Sequence, residues 1–119
     1  MFKKIFCGSL VFVFLGVGTA VADDGAYTSN RFCYALQAMG WCDDYLVRAD
    51  TEAKLRDEIG ADLRGDGSPY DADCSEGLDR YWSEMEQFGE QAACERAWDA
   101  VGPMGSELPG ILIENPFKS

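Results

Sequence analysis

Apolar positions in this chain recur every three to four residues, the period of a helix, and not every two as in a half-buried strand. Phe32, Ala35, Leu36, Met39, Leu46 and Val47 fall on one such stripe, and Ser29 or Asn30 stands ahead of it as a capping residue, which predicts a first helix. Gly40 lies inside the stripe and weakens it locally. After Asp50, a second capping residue, Leu55, Ile59 and Leu63 recur every four positions and predict a second helix that ends at Gly65. From Gly65 to Asp73 the residues Gly, Asp, Ser and Pro dominate, which reads as a loop.

A third helix is predicted from Ser75, with Glu76 favourable in its first turn and Leu78, Trp82 and Met85 on its apolar face. Cys94, Ala97, Trp98 and Val101 form another stripe, rotated away from that of Leu78 and Trp82, and Gly89 lies between the two. The segment is therefore divided at Gly89, leaving a fourth helix from Glu90 to Val101 that Gly102-Pro103 ends. Beyond it lies a short apolar run, Ile111-Leu112-Ile113, followed by Phe117. The run is too apolar to stay in water and is expected to pack back across the helices, with docking on another chain as the alternative. Together these elements predict an all-α fold, a small disulfide-stapled bundle of about four short helices.

The first residues follow a different logic. Lys3 and Lys4 precede an apolar run from Ile5 to Val17, and the segment closes on Ala20-Val21-Ala22. That order predicts a signal peptide over residues 1–22, followed by a single acidic helical domain over residues 23–119. An uncleaved anchor is the rival reading, since Ile5–Ala22 is near the shortest span of a bilayer, but Gly16, Gly18 and Thr19 weaken its far end. Cys7 lies at the start of the apolar run and not at its end, where a lipidated cysteine would stand. The expected location is periplasmic or secreted, with no stable membrane association once the leader is removed.

Four of the five cysteines follow the leader: Cys33, Cys42, Cys74 and Cys94. An even number in a short exported chain reads as disulfides. A zinc site would want C-x-x-C pairs or histidine, and the chain has neither. Cys33 and Cys42 are nine positions apart, about 13.5 Å of rise on one helix and opposite faces, so they must reach different neighbours. In an up-and-down bundle the third helix runs parallel to the first and the fourth returns alongside it. This favours Cys33 with Cys74 and Cys42 with Cys94 among three possible pairings.

Charge narrows the partners. The 21 acidic and 10 basic residues give a net charge of −11, made more negative when Lys3 and Lys4 leave with the leader. Nucleic acid and anionic lipid surfaces would repel such a chain; the charge serves solubility or a basic protein partner.

Histidine is absent from the chain, which removes the commonest general base and metal ligand along with the triads built on it. Glu84 with Glu86, and Asp43 with Asp44, are close in sequence but do not face one point on a helix, so they read as solvated carboxylates and not as an acid–base pair. The loop from Gly65 to Glu76 carries Asp66, Asp71, Asp73 and Glu76 and is a candidate calcium or small-ligand loop, although its spacing is wrong for an EF-hand. Among many aromatics, Trp41 lies opposite Phe32, Leu36 and Met39 by helical counting. Beside Asp43 and Asp44, an exposed Trp41 makes a candidate partner contact, because tryptophan is enriched at interface hot spots. The reading is a non-catalytic exported interaction protein for a more basic protein partner, with no cofactor and no metal; the alternative is a ligand- or calcium-binding domain using the loop 65–76.

Overall fold

The computed structural model describes residues 12–117, with side chains from Asp24 onward. The predicted signal peptide falls on residues 1–22, so its first part and all its side chains lie outside this description. In chain order the elements are α1 (Phe12–Trp41), β1 (Tyr45–Val47), α2 (Thr51–Ile59), α3 (Asp71–Phe88), α4 (Glu90–Val101) and β2 (Leu112–Glu114). Among the described residues no helix is long and apolar enough to cross a membrane.

The body is a small helical fold in which α1 packs along α3, and α4 packs against both. Its core joins Phe32, Tyr34, Ala35 and Ala38 of α1 to Cys74 and Tyr81 of α3 and to Ala93, Ala97, Ala100 and Val101 of α4. The alanines at 93, 97 and 100 give α4 a narrow face, so its backbone can lie close to its neighbours. The approach of α3 to α1 is closer still at Gly77, where an added Cβ would collide with the Asn30 carbonyl oxygen. Only glycine fits there.

Cys33 is bonded to Cys74 and Cys42 to Cys94, with Cα separations of 5.1 and 5.8 Å. The first links α1 to the start of α3; the second links the end of α1 to α4. Two disulfides suit an oxidising, extracellular environment.

Several expectations are corrected. Helix α1 does not start at Ser29 or Asn30, because residues ahead of them are already helical. Ser29 is fully buried instead, and its hydroxyl donates to the Leu63 carbonyl oxygen. Leu46 and Val47 leave the helical stripe altogether. They form β1, which pairs antiparallel with β2 in the register Tyr45 to Glu114, Leu46 to Ile113 and Val47 to Leu112. The run Ile111-Leu112-Ile113 thus packs back with a strand over Leu112–Glu114, a pairing between segments far apart in sequence that no local period announces, while Phe117 beyond it stays exposed.

Helix α2 stops at Ile59, where the Gly60 N–H caps the Arg56 carbonyl, so Leu63 is buried from a loop and not from a helix. Helix α3 begins at Asp71, four residues earlier than predicted. The division at Gly89 is present: its φ of 90° lies in the left-handed region, and the chain turns there from α3 into α4. Within α3 the aromatic order is reversed from expectation. Tyr81 is fully buried, while Trp82 is 39% exposed. Glu84, read as a solvated carboxylate, is 7% exposed.

Candidate acidic and aromatic cleft

Helix α1 ends at Trp41, and the Cys42 N–H completes its last turn by donating to the Ala38 carbonyl at 2.8 Å. Asp43 and Asp44 then make the turn into β1. The turn is held from the C-terminal side, because the Asn115 side-chain amide donates to the Asp43 carbonyl at 3.1 Å and the Asn115 N–H to the Asp44 carbonyl at 2.8 Å. Opposite stand the first two turns of α4. The Cys42–Cys94 disulfide ties the two walls, and the buried Tyr81 hydroxyl reaches both of its sulfurs, at 3.4 and 3.5 Å.

Between these walls lies a cleft of about 520 Å³ that contains Trp41, Asp43, Asp44 and Tyr45 on one side and Glu90, Gln91 and Glu95 on the other. A neighbouring hollow of about 450 Å³ shares Asp44 and Tyr45 and adds Trp98, Glu114 and Asn115. Five carboxylates therefore border these two adjoining hollows, and among the described residues no lysine or arginine lines either. Part of this arrangement also has a folding role, since Glu90 in the first turn of α4 complements the positive end of that helix.

Tyr45 registers the field. Its ring stacks on Trp98 with centroids 4.5 Å apart. Burial, and then the carboxylates of Asp44, Glu95, Asp99 and Glu114, push its phenol above the ordinary value, because a second negative charge there is disfavoured. The chemistry available in such a groove is recognition of a cation, by carboxylates and by aromatic faces.

The tryptophan at its rim is held in place. Trp41 and Trp82 meet edge to face with centroids 5.1 Å apart. The Gln37 amide lies between them, its oxygen 3.1 Å from both indole Nε1 atoms once the amide is oriented to satisfy both donors. Each ring remains about two-fifths exposed.

Of the residues singled out from sequence, Trp41, Asp43 and Asp44 share this cleft. Glu90, Glu95, Gln37 and Trp82 were missed. Glu90 and Glu95 lie some fifty residues from Asp43 and Asp44, and only the second disulfide hinted that α4 comes near. The loop from Gly65 to Glu76 is arranged otherwise: the Asp71 Oδ1 accepts from the Gly65 N–H at 2.9 Å. Among the described residues, no three or more His, Cys, Asp or Glu side chains are grouped to hold a metal ion.

A second polar cluster was also missed, and its role is to join elements. The Arg80 guanidinium donates to both carboxylate oxygens of Glu107, at 2.7 and 2.9 Å, and to Glu84 at 3.2 Å, while Arg31 donates to Glu107 at 2.9 Å. Tyr34 donates its hydroxyl to Glu84. Burial, with the adjoining Glu84 carboxylate, pushes the Tyr34 phenol well above its usual range; the bond from Arg80 holds Glu107 below the usual carboxylate range. The i, i+4 spacing of Arg80 and Glu84 was the one signal of it in the sequence.

No family model, no curated protein and no solved structure matches this chain.

Proposed function

We propose that this is a non-catalytic, exported interaction protein, periplasmic or secreted, that binds a more basic protein partner through the cleft between the end of α1 and the start of α4. The observation that carries the reading is the set of bordering groups among the described residues: Asp43, Asp44, Glu90, Glu95 and Glu114, beside the aromatic rings of Trp41, Tyr45 and Trp98. A low-dielectric wall of aromatic rings beside several like charges concentrates the field that draws a cation in. Export is supported by the leader-like order of residues 1–22 and by the two disulfides.

The test compares two charge-neutralised variants for binding to a short lysine- and arginine-containing peptide at low ionic strength. Replacing Asp43 and Asp44 by Asn and Glu90 and Glu95 by Gln is expected to weaken binding at least about tenfold, since each lost surface charge pair contributes a few tenths to one kcal/mol. Replacing four exposed carboxylates outside the cleft, Asp57, Glu58, Asp62 and Asp66, by their amides is expected to change it much less. Equal weakening by both variants would mean that net charge, and not this cleft, holds the peptide, and would overturn the proposal.

A further inference from the structure

We infer that the side chain of the basic partner seated at Trp41 is an arginine, stacked on the exposed face of that indole with its guanidinium directed at the Asp43 and Asp44 end of the cleft. This rests on the proposed cation-binding role of the cleft and names the group it takes. Guanidinium groups already lie on other aromatic faces of this molecule, whose described residues offer six arginines and one lysine. Arg31 lies over Tyr27 at 3.8 Å, Arg80 over Tyr34 at 4.1 Å and Arg96 over Phe88 at 4.5 Å, with Arg64 farther off Phe32 at 5.9 Å.

Two of the large exposed aromatics, Tyr27 and Phe88, are thus already covered by a guanidinium of the chain. Trp41 and Trp82 are not: among the described residues, the ring contact of each is with the other. Indole has the most electron-rich face of the three aromatic side chains and is the best cation acceptor.

The pair is also held in the conformation that binding needs. Gln37 takes both indole N–H groups, and the edge-to-face contact fixes the ring planes, so little side-chain entropy remains to be lost when a ligand arrives. A planar guanidinium can lie flat on an indole while its edge donates two parallel hydrogen bonds to a carboxylate. A lysine ammonium, compact and more strongly hydrated, cannot do both. Charge alone would draw either residue into the cleft. The fixed ring beside the carboxylates selects the planar one.

The experiment uses the oxidised protein and two fluorescein-labelled peptides of equal charge, one carrying three arginines separated by Gly-Ser and the other three lysines at the same positions, followed by anisotropy at low ionic strength. Arginine is expected to bind about fivefold tighter than lysine. Trp41→Leu is expected to erase that preference by weakening the arginine peptide more than the lysine peptide, with near-ultraviolet circular dichroism and the melting temperature reporting that the fold is kept. Gln37→Ala, which frees the indoles without removing them, is expected to reduce the preference in part. Equal affinity of the two peptides for the unsubstituted protein would overturn the arginine assignment and leave the acidic cleft standing. Failure of both to bind would overturn the cleft reading as well.

Discussion

The phenolic hydroxyl of Tyr34 donates to the Glu84 carboxylate, joining two side chains 50 positions apart across the contact of α1 with α3. The same carboxylate faces Arg80 at 3.2 Å and Arg96 at 3.6 Å. A carboxylate so far removed from water is tolerated only with partners of this kind. Tyr34→Phe takes away one donor and leaves both guanidinium groups, so it is expected to cost about 1 kcal/mol. Arg80→Ala strips Glu84 and Glu107 together and is expected to cost about 2 to 3 kcal/mol. Urea denaturation measures both, and equal losses would mean that the arginine adds nothing beyond what the tyrosine supplies.

Glu107 sets an acid limit. Arg80 and Arg31 depress its carboxyl below the ordinary value of 4.5, so in the folded state it holds its charge to lower pH than in the unfolded chain. A depressed acid stabilises the fold fully above the unfolded value, and that contribution is lost as pH falls from about 4.5 through the folded value. Melting temperatures taken from neutral pH downward are expected to fall in that window, and more steeply for the parent protein than for Glu107→Gln. Parallel curves would remove Glu107 from the account.

Gly77 and Gly40 should respond oppositely to the same substitution. Gly77→Ala places a methyl group against the Asn30 carbonyl oxygen of α1, a backbone atom with no room to move, and is expected to destabilise by at least about 2 kcal/mol. At Gly40, one residue before the end of α1, an added Cβ meets nothing within 4 Å. Gly40→Ala is expected to stabilise by up to about 0.5–1 kcal/mol through helix propensity alone. Thermal melts of the two variants, shifted in opposite directions, check both statements.

The two disulfides close spans of 41 and 52 residues, so the chain-entropy argument assigns them nearly equal stabilisation, roughly 4 kcal/mol each. Removing either pair by substitution with serine is therefore expected to lower the unfolding free energy by similar amounts. Only the loss of Cys42–Cys94, which ties the walls of the cleft, is expected to weaken binding of a cationic peptide as well. Alkylation of the native, unreduced protein followed by mass spectrometry should label none of Cys33, Cys42, Cys74 or Cys94.

Local pattern was a good guide wherever burial followed a helical period. The stripes through Phe32 and Ala35, through Leu55 and Ile59, and through Ala97 and Val101 all mark segments that are helical, and the change of phase across Gly89 marks a true turn. It failed at Leu46 and Val47, whose place on a helical stripe was coincidental. Their partner, the segment around Ile113, lies over sixty residues away. It also put Trp82 in the core and Glu84 in water, because a period identifies a face and not which edge of that face a third helix will cover. With α4 and the Glu107 loop in place, Tyr81 and Glu84 are the covered positions.

The same division holds for the candidate site. The amino-acid sequence by itself determined the helical class, the acidic charge, the absence of histidine chemistry and the geometric preference for Cys33 with Cys74 and Cys42 with Cys94, since each depends on residue type or on spacing within one or two helices. It also marked Trp41, Asp43 and Asp44, which are neighbours in the chain. The tertiary structure alone decided that Glu90 and Glu95 face them, that Gln37 holds Trp41 against Trp82, and that the tail closes a two-stranded sheet beside the cleft. Those are contacts between residues far apart in sequence, and their geometry is set by how whole helices pack, which no local period records.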